Sequence, residues 1–145
     1  MNLAEAIDQN ARRRPQSPAV ITPSRTINHA EFRAMVCRRA AYLASLGIEQ
    51  GDIVGINLKD TPEHLAALFA LARIGIAALP MDWRWTTEEK TRLAGFFKLK
   101  IVLSEADDPF RELDGLWKTI TIDDAWRGNI NKADPDATSL AEGDP

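Results

Sequence analysis

The sequence predicts a layered α/β domain with a mainly parallel sheet and flanking helices. Three observations predict it. Residues 51–82, GDIVGINLKDTPEHLAALFALARIGIAALPMD, join an apolar strand, a helix with marked ends and a second apolar strand through short connections, which is a right-handed βαβ unit. Around that unit, strand-like and helix-like apolar patterns alternate along the chain. The chain has 145 residues and is 45% hydrophobic, enough for one domain that buries about two thirds of its unfolded surface.

Taken in order, Asn2 and Glu5 have capping-box spacing, and Leu3, Ala6, Ile7 and Ala11 share one side of a helix over about residues 3–14 that Pro15 ends. Arg12, Arg13 and Arg14 lie at its C-terminus, where cations oppose the helix dipole, so they read as helix-end charges. Residues 19–22 and 25–28 flank the turn signal Pro23-Ser24 and form a small hairpin. Asn28 and Glu31 repeat the capping-box spacing before a stripe of Phe32, Val36, Ala40 and Leu43, a helix that ends at Gly47.

In the βαβ unit, the strand 53–58 is apolar at nearly every position, as a strand covered on both faces is. The helix starts at Asp60 or Thr61, with Pro62 in the first position and Glu63 in the first turn, and stops at Gly75. Leu65 to Ile74 leave almost no polar face, so this helix is expected to be buried between layers. Thr86 and Glu89 cap a further helix carrying Leu93, Phe96 and Phe97. A strand at 100–104 follows, then a break at Asp107-Asp108-Pro109 with a short helical or turn segment to Gly115, and a last strand at 117–122. Residues 123–128 suggest one helical turn. The expected division is a body over 1–128 and a linker or loosely ordered tail over 129–145, which has few large apolar residues.

The net charge of −3 and pI near 5.4 argue against nucleic-acid binding, since no basic excess displaces counterions from phosphates. The apolar runs are too short to span a bilayer and the N-terminus lacks a signal-peptide pattern, so a cytoplasmic protein is expected. Cys37, His29 and His64 are too few for a dedicated zinc site, and Cys37 inside a helix reads as a small buried hydrophobe. No glycine cluster forms GxGxxG or a P-loop, and no serine stands in GxSxG. Asp107-Asp108 and Asp123-Asp124 read as solvated caps in turns. No catalytic residue and no metal ligand is assigned.

One cluster stands apart. Trp83-Arg84-Trp85 directly follows the second strand of the βαβ unit, where open parallel sheets bind ligands, and an arginine among indoles stacks on a base or holds a phosphate. Against this stands a structural alternative, in which the indoles cover the sheet edge and Arg84 makes a surface ion pair.

In register over most of residues 1–125, the chain resembles the N-terminal part of the adenylate-forming (AMP-binding) superfamily. ARRRPQSPAVI is similar to the family opening, and TINHAEF stands in the place of the LTYxEL motif with Asn28, His29 and Phe32 substituted. GIEQGDIVGINLKDTPEH places Asp60 in a common Asn position. LARIGIAALPMDWRWTTEEK carries the most specific match, with Asp82 and Trp83 in place of Asn-Pro and Arg84 at the basic position. The resemblance is nearest the acyl-CoA ligases and implies a parent enzyme that uses ATP, Mg2+ and coenzyme A to convert a small carboxylic acid to an acyl-adenylate and then a thioester. It makes Arg84, with Trp83 and Trp85, the candidate contact to the nucleotide end of coenzyme A.

The family's Ser/Thr/Gly-rich phosphate loop, its ribose-binding acid and its catalytic lysine are absent from residues 1–145, and LAEGDP resembles the approach to that loop. The chain is therefore expected to be an N-terminal fragment that binds no cofactor by itself, does not adenylate, and self-associates through surface meant for the remainder of the parent enzyme. The alternative is a non-catalytic binding or regulatory module. The gene downstream of codon 145 separates the two, an open frame encoding the phosphate loop supporting the fragment and a stop codon the module.

Overall fold

A computed structural model describes residues 2–111 and 116–142. The chain opens with α1 (Glu5–Arg13), then a hairpin of β1 (Pro18–Ile21) and β2 (Thr26–Asn28), which pair antiparallel. It leads into α2 (His29–Ala44), whose capping box is complete: Asn28 Oδ1 accepts from the Glu31 N–H at 2.8 Å, and Glu31 Oε2 accepts from the Asn28 N–H at 3.1 Å.

The expected box at Asn2 and Glu5 does not form. Asn2 Oδ1 accepts from the Ala4 N–H at 2.9 Å, while its Nδ2 donates to the Ala72 carbonyl at 2.8 Å, so the side chain ties the N-terminus to a distant helix.

The βαβ unit is β3 (Ile53–Asn57), α3 (Pro62–Arg73) and β4 (Ala77–Pro80). Thr61 is the N-cap, Pro62 starts α3, and Gly75 turns the chain out of it at φ 74°, a left-handed conformation that glycine adopts without strain. Next come α4 (Thr87–Phe96), capped by the expected Thr86–Glu89 box, then β5 (Ile101–Glu105), β6 (Lys118–Ile122) and α5 (Asp124–Lys132). The strands β4-β3-β5-β6 form one parallel four-stranded sheet. Part of the helical or turn segment expected up to Gly115 lies outside the described residues.

Successive strand residues face opposite sides. Val54, Ile56, Ile101 and Leu103 point into the larger core, with Phe32, Val36 and Leu43 of α2, Ala66, Ala70 and Leu71 of α3, and Trp126 and Ile130 of α5. On the opposite face Val102 packs with Met81, Ala94 of α4, Leu99, Phe110 and Trp117. Phe110 and Trp117 stack with centroids 5.4 Å apart and planes 6° apart. The molecule is thus a three-layer α/β domain.

Two expectations need correction. The helix α3 is not enclosed on all sides: Leu65 is exposed, Leu68, Phe69 and Ala72 are half-buried, and with Leu3 and Ile76 they line an open apolar groove of about 410 Å³. Its inner face meets the sheet and α2, while among the described residues no layer covers the apolar outer face. In turn, the single turn expected over 123–128 is the nine-residue α5, extended to Lys132 because Ile130 is buried beside Trp126 in the larger core.

Residues beyond α5 return to the body. Arg38 Nη1 donates to the Asn131 and Ala133 carbonyls at 3.1 and 2.7 Å, at the α5 C-terminus. The Ala141 N–H donates to the Arg73 carbonyl at 2.8 Å. Glu63 joins three helices by accepting from Arg39 Nε at 2.9 Å, Arg39 Nη2 at 2.5 Å and Trp126 Nε1 at 2.7 Å.

Candidate functional site

Because all four strands are parallel, their carboxyl ends gather at one edge, and the connections from β3 to α3, β4 to α4 and out of β5 meet there. The loop after β4 is tightly determined. The Met81 N–H donates to the Ile56 carbonyl at 2.9 Å and keeps the chain against β3 one residue past the strand. Asp82 then makes a local turn: its Oδ1 accepts from the Arg84 N–H at 2.9 Å and its carbonyl from the Trp85 N–H at 3.0 Å.

Arg84 lies against this turn. Its Nε and Nη2 donate to Asp82 Oδ1 and Oδ2 at 2.9 and 2.7 Å, a two-pronged pair. Hydrogen bonds from the Arg84 side chain and backbone hold the Asp82 carboxyl down at about 2, so the pair stays ionic throughout the neutral range. The Arg84 side chain is 72% exposed. Trp83 and Trp85 are 41% and 39% exposed, so each indole is partly at the surface, and the Arg84–Asp82 contact is the surface ion pair of the structural alternative.

With Leu58 and Asp60 from the β3–α3 connection and His64 from the first turn of α3, the three residues line a cavity of about 470 Å³. The Lys59 ammonium lies 5.8 Å from the Trp83 ring centroid and also donates to Asp107 at 3.1 Å. The three residues singled out by sequence are therefore together in one cavity wall. Their chemistry is that of recognition: indole faces to stack on a planar ring and cations to meet an anion.

A buried polar layer lies below. Lys90 Nζ donates to the Trp83 carbonyl at 2.9 Å and to Asp108 Oδ2 at 2.8 Å, while Asp108 Oδ1 accepts from the Phe110 N–H at 2.8 Å. Asn57 Nδ2 donates to Ser104 Oγ at 2.9 Å between the ends of β3 and β5. Burial opposes ionisation of Asp108, but the hydrogen bonds from Lys90 and the Phe110 N–H outweigh it and hold its carboxyl below the usual range.

Sequence reasoning missed Lys90 and treated Asp107-Asp108 as one solvated cap. Of the two, Asp107 is exposed, and Asp108 carries the buried pair. A lysine at i beside Leu93 and Ala94 at i+3 and i+4 was the available signal.

Cys37 is buried in α2, and burial pushes its thiol up, away from a reactive thiolate. Among the described residues no three His, Cys, Asp or Glu side chains gather to hold a metal ion. No helix among them is long and apolar enough to cross a membrane.

Several known proteins are similar to this chain in sequence and fold. Indoleacetate–CoA ligase of Aromatoleum aromaticum is 34% identical over 93 residues, which cover 64% of this chain and 18% of that protein. Acetyl-coenzyme A synthetase of Cronobacter sakazakii is 39% identical over 82 residues, covering 52% of this chain and 13% of that protein. A fatty acyl CoA synthetase of Mycobacterium tuberculosis superposes with a TM-score of 0.86 at 22% identity, over 99% of this chain and 30% of that structure. The chain thus spans less than a third of each of these proteins. The family model for AMP-binding enzymes matches residues 7–142, nearly the whole chain. With the parallel sheet and the in-register motifs, this shows that the chain belongs to the AMP-binding, adenylate-forming enzymes as an N-terminal portion of their fold, related to the acyl-CoA synthetases.

Proposed function

We propose that the protein of which this chain is the N-terminal portion is an ATP-dependent acyl-CoA synthetase. It joins a small carboxylic acid to ATP, releasing pyrophosphate and forming an acyl-adenylate. The thiol of coenzyme A then attacks the acyl carbon and expels AMP, leaving a thioester. Within that enzyme these residues act as scaffold and as one wall of the nucleotide-facing edge. They hold no group to which proton transfer, nucleophilic attack or the binding of Mg2+ and the ATP phosphates is assigned.

The observation that carries this reading is the Trp83-Arg84-Trp85 loop at the carboxyl edge of the sheet, in a chain with a CoA ligase among its relatives. The indoles and the exposed guanidinium suit the adenine and the phosphates at the nucleotide end of coenzyme A. A phosphate reaching Arg84 competes with Asp82 for the guanidinium, so this chain alone is expected to bind coenzyme A weakly, which replaces the expectation from sequence that it binds no cofactor by itself. Titrating the chain with coenzyme A by isothermal calorimetry checks this. Arg84→Ala is expected to weaken binding by about tenfold, the loss of one charged hydrogen-bonding group. Equal binding by the two proteins would remove Arg84 from the site.

The apolar groove between Leu3 and the outer face of α3 is read as surface that packs on the remainder of the enzyme. In isolation the chain is therefore expected to self-associate. Light scattering across a concentration series checks this, and a monomer at every concentration would contradict it.

A further inference from the structure

Lys90 is the least expected residue of the domain. Its side chain is 3% exposed, at the inner side of α4, and its partner Asp108 is 10% exposed. Neither lines the cavity above them. A buried ion pair of this kind adds little stability over a neutral, well-packed substitute, because desolvation offsets most of the attraction. What it does supply is direction. Lys90 has three donors, and two of them are spent on groups from different loops: the Trp83 carbonyl after β4 and Asp108 after β5. Asp108 is fixed in turn by the Phe110 N–H, and Phe110 is fully buried against Trp117. The chain of contacts runs from the second core, through the carboxylate and the ammonium, to the backbone of the first indole residue of the loop.

We propose that Lys90 is a positioning residue for the Trp83-Arg84-Trp85 loop. It pins the Trp83 carbonyl to the core, so that Trp83 and Arg84 stand in the cavity wall before a ligand arrives. The proposal rests on the reading of that loop as the site for the nucleotide end of coenzyme A. The other contacts are of a different kind. Those of Asp82 to Arg84 and Trp85 are internal to the loop and fix its shape, and the exposed Lys59 meets the Trp83 ring 5.8 Å from its centroid without tying the loop to the core. The Met81 N–H bond to the Ile56 carbonyl anchors only the entry.

The test uses two measurements on the 145-residue chain. The main variant is Lys90→Met with Asp108→Asn. It removes both charges together, keeps an acceptor for the Phe110 N–H and avoids leaving one buried charge unpaired. Lys90→Arg retains a donor to both partners.

In the first measurement, the indole N–H resonances of Trp83 and Trp85 are followed by NMR without ligand. The double variant is expected to shift and broaden both, while Trp126, on the other face of the sheet, stays in place. Unchanged Trp83 and Trp85 resonances in a folded double variant would overturn the proposal, whether or not coenzyme A binds.

The second measurement is coenzyme A titration. The wild type is expected to bind, the double variant about tenfold more weakly, from loss of preorganisation, and Lys90→Arg within about threefold of wild type. If the wild type binds and the double variant binds equally, positioning by Lys90 is wrong and the ligand reading stands. If the wild type does not bind, the ligand reading falls, and the resonances alone decide whether Lys90 positions the loop.

Discussion

Asp8→Ala is expected to lower stability by about 3–5 kcal/mol, the cost of removing one partner from a buried ion pair. Asp8 sits where α1, α2 and α3 meet. Its Oδ2 accepts from Arg73 Nη1 at 2.9 Å and its Oδ1 from Arg33 Nε at 2.8 Å. The Asp8 and Arg73 side chains are 6% and 5% exposed, so the substitution leaves a guanidinium buried without its counter-charge. The measurement is urea denaturation, with a lower midpoint at an unchanged slope. A loss below about 1 kcal/mol, the usual range for an exposed pair, would show that solvent reaches Arg73.

The same pair sets an acid limit. Burial opposes ionisation of Asp8, but the hydrogen bonds and charges of Arg73 and Arg33 outweigh it and hold the carboxyl below its ordinary value. Asp108 is lowered against the same opposition by Lys90 and the Phe110 N–H. For a carboxylate with a depressed folded value, the stabilisation is complete above its unfolded value of about 4 and is lost as pH falls through the lower folded one. Stability should therefore hold near neutrality and drop as pH falls below about 4, less steeply in Asp8→Ala, which has already lost one of the two carboxylates.

The second large effect is expected at Gly55→Val. Gly55 faces the α4 side of the sheet in the middle of β3. A Cβ there would stand 2.7 Å from Leu99 Cδ1, 3.1 Å from Val102 Cγ2 and 3.2 Å from Met81 Sδ. Even alanine is expected to cost about 1–3 kcal/mol through overpacking, and valine more, despite its better strand propensity. Because Met81 directly precedes Asp82, the displacement also reaches the candidate site. Gly95→Ala is the contrast. It lies within α4 with no atom within 4 Å of an added Cβ, and it should stabilise by about 0.5–1 kcal/mol. Thermal melts of the two alanine variants check the opposite signs, and a neutral Gly55→Ala would mean the second core is loose enough to absorb a methyl group.

What could be read from the sequence depended on whether the deciding partners were near in the chain. The boxes at Asn28–Glu31 and Thr86–Glu89 involve residues three apart and formed as expected. Asn2 and Glu5 have the same spacing, yet the Asn2 amide is taken by the Ala72 carbonyl, a partner no local pattern reveals. The β3–α3–β4 unit was legible because its strand runs and helix ends are written in 32 consecutive residues, 51–82.

The open face of α3 was not, since an apolar helix surface shows the need for a partner and not whether one is present. Within the candidate site, Trp83, Arg84 and Trp85 could be found as an unusual local cluster. The pairing of Lys90 with Asp108 could not, because they stand 18 positions apart: the spacing of Lys90 from Leu93 and Ala94 hints at its burial but not at its partner, and Asp108 looks like a turn aspartate.

As proposed, these residues are scaffold and ligand-facing edge of an acyl-CoA synthetase, and they do not themselves carry out adenylation. The most direct test is ATP–pyrophosphate exchange by the purified 145-residue chain across a panel of aliphatic and aromatic carboxylic acids. Exchange at background with every acid is the predicted result. Acid-dependent exchange clearly above background would place adenylation chemistry within this chain and contradict the scaffold role proposed for it.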